Sequence, residues 1–248
     1  MERSEKSWRK PIHAKQIINK MNCNFVALID FIMNCDKSHD LHLTVHDKGR
    51  KHMKIIGLTG LTGAGKSTVA QKLMAFGCYH IDADKVAKDV INNSEDVKNK
   101  LKERFGDDVI NDDGTTNRPL LASRAFADTD STNALNEITH PAVTKEIESI
   151  IKDMEEVGYR GVIIDAIALF ESGEDKLCDF TVAVVAPKEL RLDRIMKRDN
   201  ITEEKALERI NAQKDESFFT KKADFVLWNY PPYDINVEIK PITLQLGL

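Results

Sequence analysis

The sequence predicts an α/β fold built on a parallel five-stranded sheet. Three observations support this prediction: short runs rich in Val and Ile alternate with helical segments, a glycine-rich turn separates the first run from the first helix, and aspartates follow two of the runs. Strands of a parallel sheet are buried on both faces and therefore form near-continuous apolar runs. The predicted strands are Ile55–Thr59, Cys78–Ile81, Gly161–Asp165, Thr181–Ala186 and Phe225–Trp228.

The composition is that of a soluble globular protein. Hydrophobic residues make up 42% of the 248 residues and charged residues 31%, and no apolar run approaches the length of a bilayer span. The four cysteines are too far apart for a paired metal-ligand motif, so we expect reduced thiols and a cytoplasmic protein. We also expect no membrane partner, and either a monomer or a weak homo-oligomer.

The charge is divided unevenly along the chain. Residues 1–53 carry a net charge of +4, which leaves −8 for the remainder. Because Lys and Arg side chains supply most of the affinity for nucleic acids, the acidic remainder argues against a nucleic-acid partner. We predict a small-molecule partner instead.

Residues 1–52 differ in character from the rest of the chain. They are rich in Lys, Arg and His and show no sustained hydrophobic periodicity, so we predict a poorly ordered N-terminal extension that is dispensable for folding and catalysis. Within it, Asn22–Met33 is the one stretch apolar enough to dock on a core. The extension is either a translated leader or a regulatory or targeting arm.

Residues 53–248 are predicted to form the functional domain. A mostly helical insertion occupies about 84–157, where Pro119 and Pro141 are expected to interrupt the helices. Two charged helices form a lid at about 187–215.

A phosphate-binding loop follows the first predicted strand. Residues 60–67 match G-x-x-x-x-G-K-[ST] at each fixed position and lie between a strand and a helix, the context that this motif requires. Such loops turn their backbone N–H groups toward a polyphosphate, Lys66 reaches the β- and γ-phosphate oxygens, and the Ser67 hydroxyl ligates Mg²⁺. The predicted ATP-binding residues are Thr62, Gly63, Ala64, Gly65, Lys66, Ser67 and Thr68.

Aspartates at the ends of two predicted strands indicate chemistry beside this loop. Asp82 and Asp84 follow the second strand, and Asp165 ends the third. Because these strand ends face the ligand crevice, one of Asp82 and Asp84 can take the proton of an acceptor hydroxyl while the other positions Mg²⁺ through water. Either can equally cap the next helix. Asp165 delivers a carboxylate to the Mg²⁺ or bonds to neighbouring loop amides.

Arginines recur on the two predicted lid helices. Arg191, Arg194 and Arg198 are spaced by three and four residues and therefore share one helix face, as do Arg209 and Gln213 on the next helix. A charged helical hairpin that closes over the site can donate to the transferred phosphoryl group and exclude water. A solvated helix face is the alternative.

These features indicate a kinase of small molecules. The sequence has neither the Asn-Lys-x-Asp tetrad of GTPases nor the Leu-Ser-Gly-Gly-Gln motif of transporter ATPases. Over Met53–Asn229, the order and spacing of further motifs resemble the dephospho-CoA kinases. These motifs are Ile81-Asp82-Ala83-Asp84, Arg118-x-x-Leu121, His140-Pro141, Leu169-Phe170-Glu171, Arg194…Arg198-Asp199 and Arg209-Ile210-x-Ala212-Gln213.

The resemblance implies a P-loop kinase in which ATP, with Mg²⁺, phosphorylates the ribose 3′-hydroxyl of dephospho-CoA. It makes Asp84 the base and places Arg194 in the lid, so the candidate catalytic residues are Lys66, Asp84 and Arg194. The candidate acceptor-binding residues are Asp82, Arg118, His140 and Pro141. Two alternatives stay open: a shikimate- or gluconate-type kinase, for which the insertion is larger than a small polyol needs, and a nucleotide-sensing module without turnover.

The chain departs from the family pattern in two places. Residues 165–169 read Asp-Ala-Ile-Ala-Leu where the family usually has Asp-x-Pro-Leu-Leu, and Tyr230 follows Asn229 where a glycine is usual. We expect local differences in the loops on the acceptor side and the adenine side.

Overall fold

The computed structural model describes residues 52–247. All but the last residue of the predicted N-terminal extension, including Asn22–Met33, lies outside these residues. The boundary between extension and functional domain therefore stays a prediction.

A parallel five-stranded sheet forms the centre of the domain and confirms the predicted fold class. Its strands are β1 (Lys54–Gly60), β2 (Cys78–Asp82), β3 (Gly161–Asp165), β4 (Phe180–Val185) and β5 (Phe225–Trp228). They lie in the order β2-β3-β1-β4-β5. Every residue of β4 and the last five residues of β1 are buried, as expected for strands covered on both faces.

The strand order places the carboxyl ends of β2, β3 and β1 side by side. Asp165, the last residue of β3, lies opposite Asp82 on β2 and Leu58 on β1. The segment that follows β1 is the phosphate-binding loop. It therefore leaves the sheet at the edge where the two aspartates stand.

Helices make up most of the remaining described residues. Their bounds are α1 (Lys66–Ala75), α2 (Ala83–Asn93), α3 (Glu95–Phe105), α4 (Arg118–Ala125), α5 (Thr129–Val157), α6 (Leu169–Ser172), α7 (Lys188–Asp199), α8 (Glu203–Asn211), α9 (Glu216–Thr220), α10 (Ile235–Glu238) and α11 (Lys240–Gln245). Helices α2 to α5 fall within the predicted insertion, and α7 and α8 fall within the predicted lid. The lid pair has a small core of its own, made of Ile195, Ala206 and Ile210.

The insertion is a helical layer with a separate core. Pro119 lies in the first turn of α4, where a proline is tolerated. The expectation that Pro141 interrupts a helix is wrong, because α5 continues through it. A proline inside a helix removes one backbone hydrogen bond, but α5 packs against α2, α3 and α4 along its length, and this packing outweighs the local loss. The core residues of α3 and α4 are Val97, Leu101, Phe105, Leu121 and Ala125.

Two short helices after β5 complete the main core. Ile239, Ile242 and Leu246 are buried against the same apolar cluster as β1 and β4. The sequence pattern predicts no element here, because helices of four and six residues are too short to show a hydrophobic period.

Candidate active site

Glycine is required at two positions of the phosphate-binding loop. Gly60 has a φ of 132° and Gly65 a φ of 97°, a region that other residues rarely adopt. A Cβ at Gly60 would lie 2.2 Å from the carbonyl oxygen of Val184, and one at Gly65 would lie 2.0 Å from Nδ2 of Asn229. The loop is therefore packed closely between β4 and the residue that follows β5.

The loop leaves several backbone amides for a ligand. Three of its N–H groups already donate within the chain: that of Thr62 to Oε1 of Gln213 at 2.8 Å, and those of Ala64 and Thr68 to carbonyls of the loop itself. Amides at a helix N-terminus that have no internal partner bind anions. Within residues 52–247, the loop amides without a partner include those of Gly63, Gly65, Lys66 and Ser67.

Lys66, the first residue of α1, lies among charges of both signs. Its Nζ donates to the carbonyl oxygen of Gly60 at 3.2 Å. Burial lowers the pKa of the Lys66 ammonium, and the charge of Arg198 acts in the same direction, whereas the negative charges of Asp165 and Asp84 oppose this shift. The Lys66 ammonium lies beside the loop amides that have no partner, where both can contact a phosphate.

A cleft of about 660 Å³ opens along the loop, a size typical of small-molecule sites. It brings together the loop, the candidate base and two of the predicted lid arginines. The charged residues that line it are Lys66, Asp82, Asp84, Asp165, Arg194 and Arg198.

Asp82 and Asp84 have different tasks at the start of α2. Asp82 is the N-cap, and its Oδ1 accepts a hydrogen bond from the N–H of Lys85 at 2.9 Å. Asp84 lies in the first turn. Although Asp84 is accessible to solvent, desolvation by the cleft walls raises the pKa of its carboxyl, and the charge of Asp82 raises it further, against the opposing charge of Lys66. Asp84 is therefore the carboxyl whose pKa moves toward the range of a general base.

Asp165 makes a contact that the sequence pattern does not predict. Nε2 of His80, on β2, lies 3.2 Å from its Oδ2. Because an ionised carboxylate only accepts hydrogen bonds, Nε2 is the donor. In the sequence, His80 stands out as a polar residue inside a predicted apolar strand, two positions before Asp82. This is the feature from which the contact could have been suspected.

Arg194 is bound to the loop. Its Nη1 donates to the carbonyls of Gly63 and Ala64 at 3.2 and 3.1 Å, and its Nη2 to that of Asn229 at 2.9 Å. Asn229 in turn donates from Nδ2 to the carbonyl of Ala64 at 2.8 Å. These bonds fix the conformation of the loop. Asn229 was not among the predicted site residues, although it directly follows the last strand and lines the cleft.

The other predicted lid arginines differ in what they contact. Arg191 is buried, and its Nε donates to the carbonyl of Ala186 at 3.1 Å. Arg198 lines the cleft and makes two hydrogen bonds to the carboxylate of Asp199, to which Arg209 also donates. Asp199 thereby joins α7 to α8. Arg198 thus reaches the cleft, and Arg209 joins the two lid helices through Asp199. Arg191 instead ties the start of α7 to the end of β4 and, through Nη1, to the loop carbonyl of Thr62 at 3.5 Å.

The four predicted acceptor-binding residues do not line a single cavity. Asp82 lines the main cleft, Arg118 lines a small groove against α2, and Pro141 lines a third cavity between α2, α3 and α5. His140 precedes Pro141 on α5, and burial lowers the pKa of its imidazole. The acceptor assignments therefore stay predictions.

Side-chain clusters typical of a preformed metal site are absent from residues 52–247, where no three His, Cys, Asp or Glu residues converge. In the same part of the chain, no helix has the length and apolar character to cross a bilayer. Cys78 and Cys178 are free thiols, and burial raises their pKa values to about 11 and about 12.

The fold and the site together define a class of protein. A phosphate-binding loop that begins a helix, a carboxylate after the second strand and a pair of arginine-bearing helices are the parts of a P-loop kinase that acts on a small molecule. A family model described as dephospho-CoA kinase matches residues 54–232. The chain therefore belongs to the dephospho-CoA kinase family.

Individual relatives agree with the family match. A dephospho-CoA kinase of Corynebacterium jeikeium is 40% identical over 177 residues, which cover 71% of this chain and 91% of the relative. One of Corynebacterium efficiens is 37% identical over 179 residues, which cover 72% and 90%. The predicted family, enzyme class and kinase activity are thus confirmed, and the match decides against the shikimate- or gluconate-type alternative.

Solved structures show the same relationship. A crystal structure from Thermus thermophilus has a TM-score of 0.66 and 32% identity, and the match covers 79% of this chain and 98% of that one. A dephospho-CoA kinase from Campylobacter jejuni has a TM-score of 0.56 and 26% identity, with coverage of 77% and 96%.

Proposed function

We propose that this cleft transfers the γ-phosphoryl group of ATP to the ribose 3′-hydroxyl of dephospho-CoA, which yields CoA and ADP. The observation that supports this proposal most directly is that Asp84 and Lys66 line one cleft. A carboxyl with a raised pKa therefore stands beside the loop that binds the ATP phosphates. The cleft supplies both a base for the hydroxyl and a cation for the phosphates.

Lys66 and the free loop amides bind the β- and γ-phosphates. The N-terminal end of α1 adds partial positive charge at the same place. An ammonium has three donors, so Lys66 can retain its bond to Gly60 and still donate to phosphate oxygens. These donors stabilise the charge that spreads over the transferred phosphoryl group.

Asp84 accepts the proton of the 3′-hydroxyl as that oxygen attacks phosphorus. A general base works best when its pKa lies near the working pH, and the pKa of Asp84 is shifted in that direction. The cap from Asp82 fixes the first turn of α2 and with it the position of Asp84.

The oxygen donors of the cleft fit a magnesium ion. Ser67 and Asp165, which line the cleft, offer the hydroxyl and carboxylate oxygens that Mg²⁺ prefers. Mg²⁺ usually keeps several waters and binds substrate phosphates, so one or two protein ligands suffice. When bound, the ion neutralises charge on the β- and γ-phosphates.

Arg194 and Arg198 act at the lid side of the cleft. Arg194 holds the loop through its carbonyls. Arg198 has a side chain that is 61% exposed and paired only with Asp199 among the described residues, so it can exchange this partner for the transferred phosphoryl group. Closure of α7 and α8 over the cleft then excludes water, which would otherwise hydrolyse ATP.

The groove against α2 is suited to the non-reacting arm of the acceptor. Lys88 follows Asp84 by four residues on α2 and Ile91 follows by seven, so the groove begins about 6 Å along the helix from the proposed base. Its volume is about 210 Å³, and most of its lining is apolar. Lys88 and Arg118 add two cations, which suit a diphosphate.

Thr116 gives this groove one unsatisfied polar group. Its hydroxyl is buried and has no hydrogen-bond partner in the described part of the chain. A buried polar group without a partner costs about 1–3 kcal/mol. A ligand amide that opens the groove enough to reach the hydroxyl would recover this cost. Dephospho-CoA has a 5′-diphosphate and an arm of apolar carbons and amides. We therefore assign that arm to the groove.

Asp82, His140 and Pro141 are the other candidate acceptor-binding residues. The resemblance makes these three residues contacts of the acceptor. A cytoplasmic location is supported by the free thiols of Cys78 and Cys178, because cytosolic thiols are kept reduced. A monomer or weak homo-oligomer remains our expectation for the assembly.

Asp84→Asn tests the proposed mechanism. We expect kcat to fall by at least about 10²-fold, the usual contribution of a positioned base, while the Kd for ATP measured by calorimetry stays unchanged. Turnover is followed as ADP formation that depends on dephospho-CoA. Asp89→Asn, at an exposed position of the same helix, is the matched control and should retain full turnover. Loss of ATP binding together with the rate in Asp84→Asn would contradict the role of base.

A further inference from the structure

His80, which has no role in the proposed mechanism, lies beside Asp165, the proposed metal-binding carboxylate. His80 precedes Asp82 by two residues on β2, and side chains two apart on a strand share one face of the sheet. The register pairs Asp82 with Asp165 on β3. His80 is therefore on the same face as both aspartates, about 7 Å below the edge of the sheet.

The contact between His80 and Asp165 is a shielded hydrogen bond. Nε2 of His80 donates to Oδ2 of Asp165 at 3.2 Å, and the two side chains are only 27% and 17% exposed. Water therefore competes weakly with this bond. Within residues 52–247, no other side chain donates to this carboxylate.

The loop after Asp165 does not orient its side chain. Residues 166–168 are Ala, Ile and Ala and offer no polar side chain. The loop is held by two other bonds, from the N–H of Ala166 to the carbonyl of Leu58 at 3.1 Å and from Oγ1 of Thr59 to a loop carbonyl at 3.2 Å. Both bonds fix the backbone and leave the carboxylate of Asp165 free to rotate.

Neighbouring charges draw the same carboxylate toward the phosphate site. Asp165 and the Lys66 ammonium attract each other, whereas Asp165 and Asp84 repel each other. Without His80, the carboxylate of Asp165 is free to turn toward Lys66 and to form an ion pair with it. The Lys66 ammonium would then be less available to the ATP phosphates.

We propose that His80 is a positioning residue that holds one oxygen of Asp165 so that the other faces the cleft, where it is available to the divalent ion bound with ATP. This inference rests on the proposed role of Asp165 in metal binding. Groups that hydrogen-bond to a ligating carboxylate orient it, and their loss typically costs about 10- to 100-fold in metal affinity or activity.

Two substitutions separate the hydrogen bond from the bulk of the ring. His80→Phe keeps a ring and removes the donor, whereas His80→Gln keeps an N–H at a similar reach. The probe is Mn²⁺ in the presence of a non-hydrolysable ATP analogue, with enzyme-bound Mn²⁺ measured by water proton relaxation. We expect His80→Phe to weaken Mn²⁺ binding by about 10-fold or more and His80→Gln to retain most of the affinity. The KM for dephospho-CoA should stay unchanged in both variants.

A double-mutant cycle with Asp165→Asn shows whether His80 acts through Asp165. We expect His80→Phe to have almost no further effect on Mn²⁺ affinity in the Asp165→Asn background, because coupled residues are non-additive. If Asp165→Asn weakens Mn²⁺ binding and His80→Phe does not, the inference about His80 is wrong while the metal role of Asp165 stands. If Asp165→Asn itself leaves Mn²⁺ binding unchanged, both the metal role of Asp165 and the inference are wrong. Should His80→Phe fail to fold, His80→Leu is the donor-free replacement and is judged by the same outcomes.

Discussion

Gln213 accepts a hydrogen bond from the backbone N–H of Thr62 at 2.8 Å. Gln213 follows α8, so this bond joins the end of the second lid helix to the phosphate-binding loop. It gives this amide a partner within the protein, and it links the conformation of the loop to the position of the lid. The prediction that Gln213 shares a helix face with Arg209 is wrong, because α8 ends at Asn211. Gln213 lies beyond the helix end, where it contacts the loop instead.

Gln213→Ala should weaken ATP binding, because the loop loses a bond that holds it in its binding conformation. The loss of about 1 kcal/mol typical of one hydrogen bond corresponds to an approximately fivefold increase in the Kd for ATP, measurable by calorimetry. Gln213→Met keeps the length of the side chain without the amide oxygen and should bind ATP as weakly as Gln213→Ala. Equal Kd values for the wild type and Gln213→Ala would show that the bond does not support the loop.

The pH dependence of turnover should report the interaction between Asp82 and Asp84. The base is active when ionised, so kcat/KM for dephospho-CoA is lost as the pH falls through the pKa of Asp84. Burial and the charge of Asp82 raise that pKa. Asp82→Asn removes the like charge, so the pKa of Asp84 falls and the acid limb of the profile moves to lower pH.

Asparagine can still cap α2 at position 82, so the helix start is preserved in this variant. Asp89→Asn, on the same helix, is the control and should leave the limb in place. An acid limb that stays put or moves to higher pH in Asp82→Asn would mean that the limb belongs to another group.

Gly65→Ala should destabilise the protein and abolish ATP binding. The added Cβ meets Nδ2 of Asn229 at 2.0 Å, and the φ of 97° is unfavourable for alanine. Gly158→Ala is the matched control, because Gly158 has a similar φ of 91° but no atom within 4 Å of the added Cβ. The free energy of unfolding of the control should fall only by the cost of backbone strain, about 1–3 kcal/mol. Thermal melting with and without ATP distinguishes the two variants. An equal fall in melting temperature in both would show that the close approach of Asn229 has no effect.

The sheet and the loop could be predicted because their signals are local. Each strand is an apolar run, and the loop motif is a contiguous segment between a strand and a helix. The sequence also predicted that Asp84 and Lys66 lie at the same edge of the sheet. Each follows a strand, and the carboxyl ends of parallel strands meet at one edge.

The contacts that hold the site together could not be predicted in the same way. The bonds of Arg194 and Asn229 to loop carbonyls join segments far apart in the chain, and they depend on a strand order that the pattern does not specify. The course of α5 through Pro141 depends on packing against neighbouring helices, which outweighs the local preference of proline.

If the groove against α2 binds the arm of dephospho-CoA, Phe126 should contribute to the binding of dephospho-CoA. It should not contribute to the binding of an acceptor that lacks the arm. Phe126 lines the groove and is 66% exposed, so a bound arm would cover it. Phe126→Ala should raise the KM for dephospho-CoA by about 10-fold, as expected when roughly 1–2 kcal/mol of apolar contact is lost. The rate with 5′-AMP, which has the 3′-hydroxyl but no arm, should not change. Val157→Ala, at a similarly exposed position on α5, is the control.

Thr116→Val provides the decisive version of this test, because its two effects have opposite signs. Valine has nearly the same shape but no hydroxyl, so the free protein loses an unsatisfied buried group and should melt at a higher temperature. If the hydroxyl bonds to an amide of the acceptor arm, the same variant raises the KM for dephospho-CoA and leaves the rate with 5′-AMP unchanged. A more stable variant with an unchanged KM would leave Thr116 without a ligand, and an equal loss for both acceptors in Phe126→Ala would exclude the groove as the site of the arm.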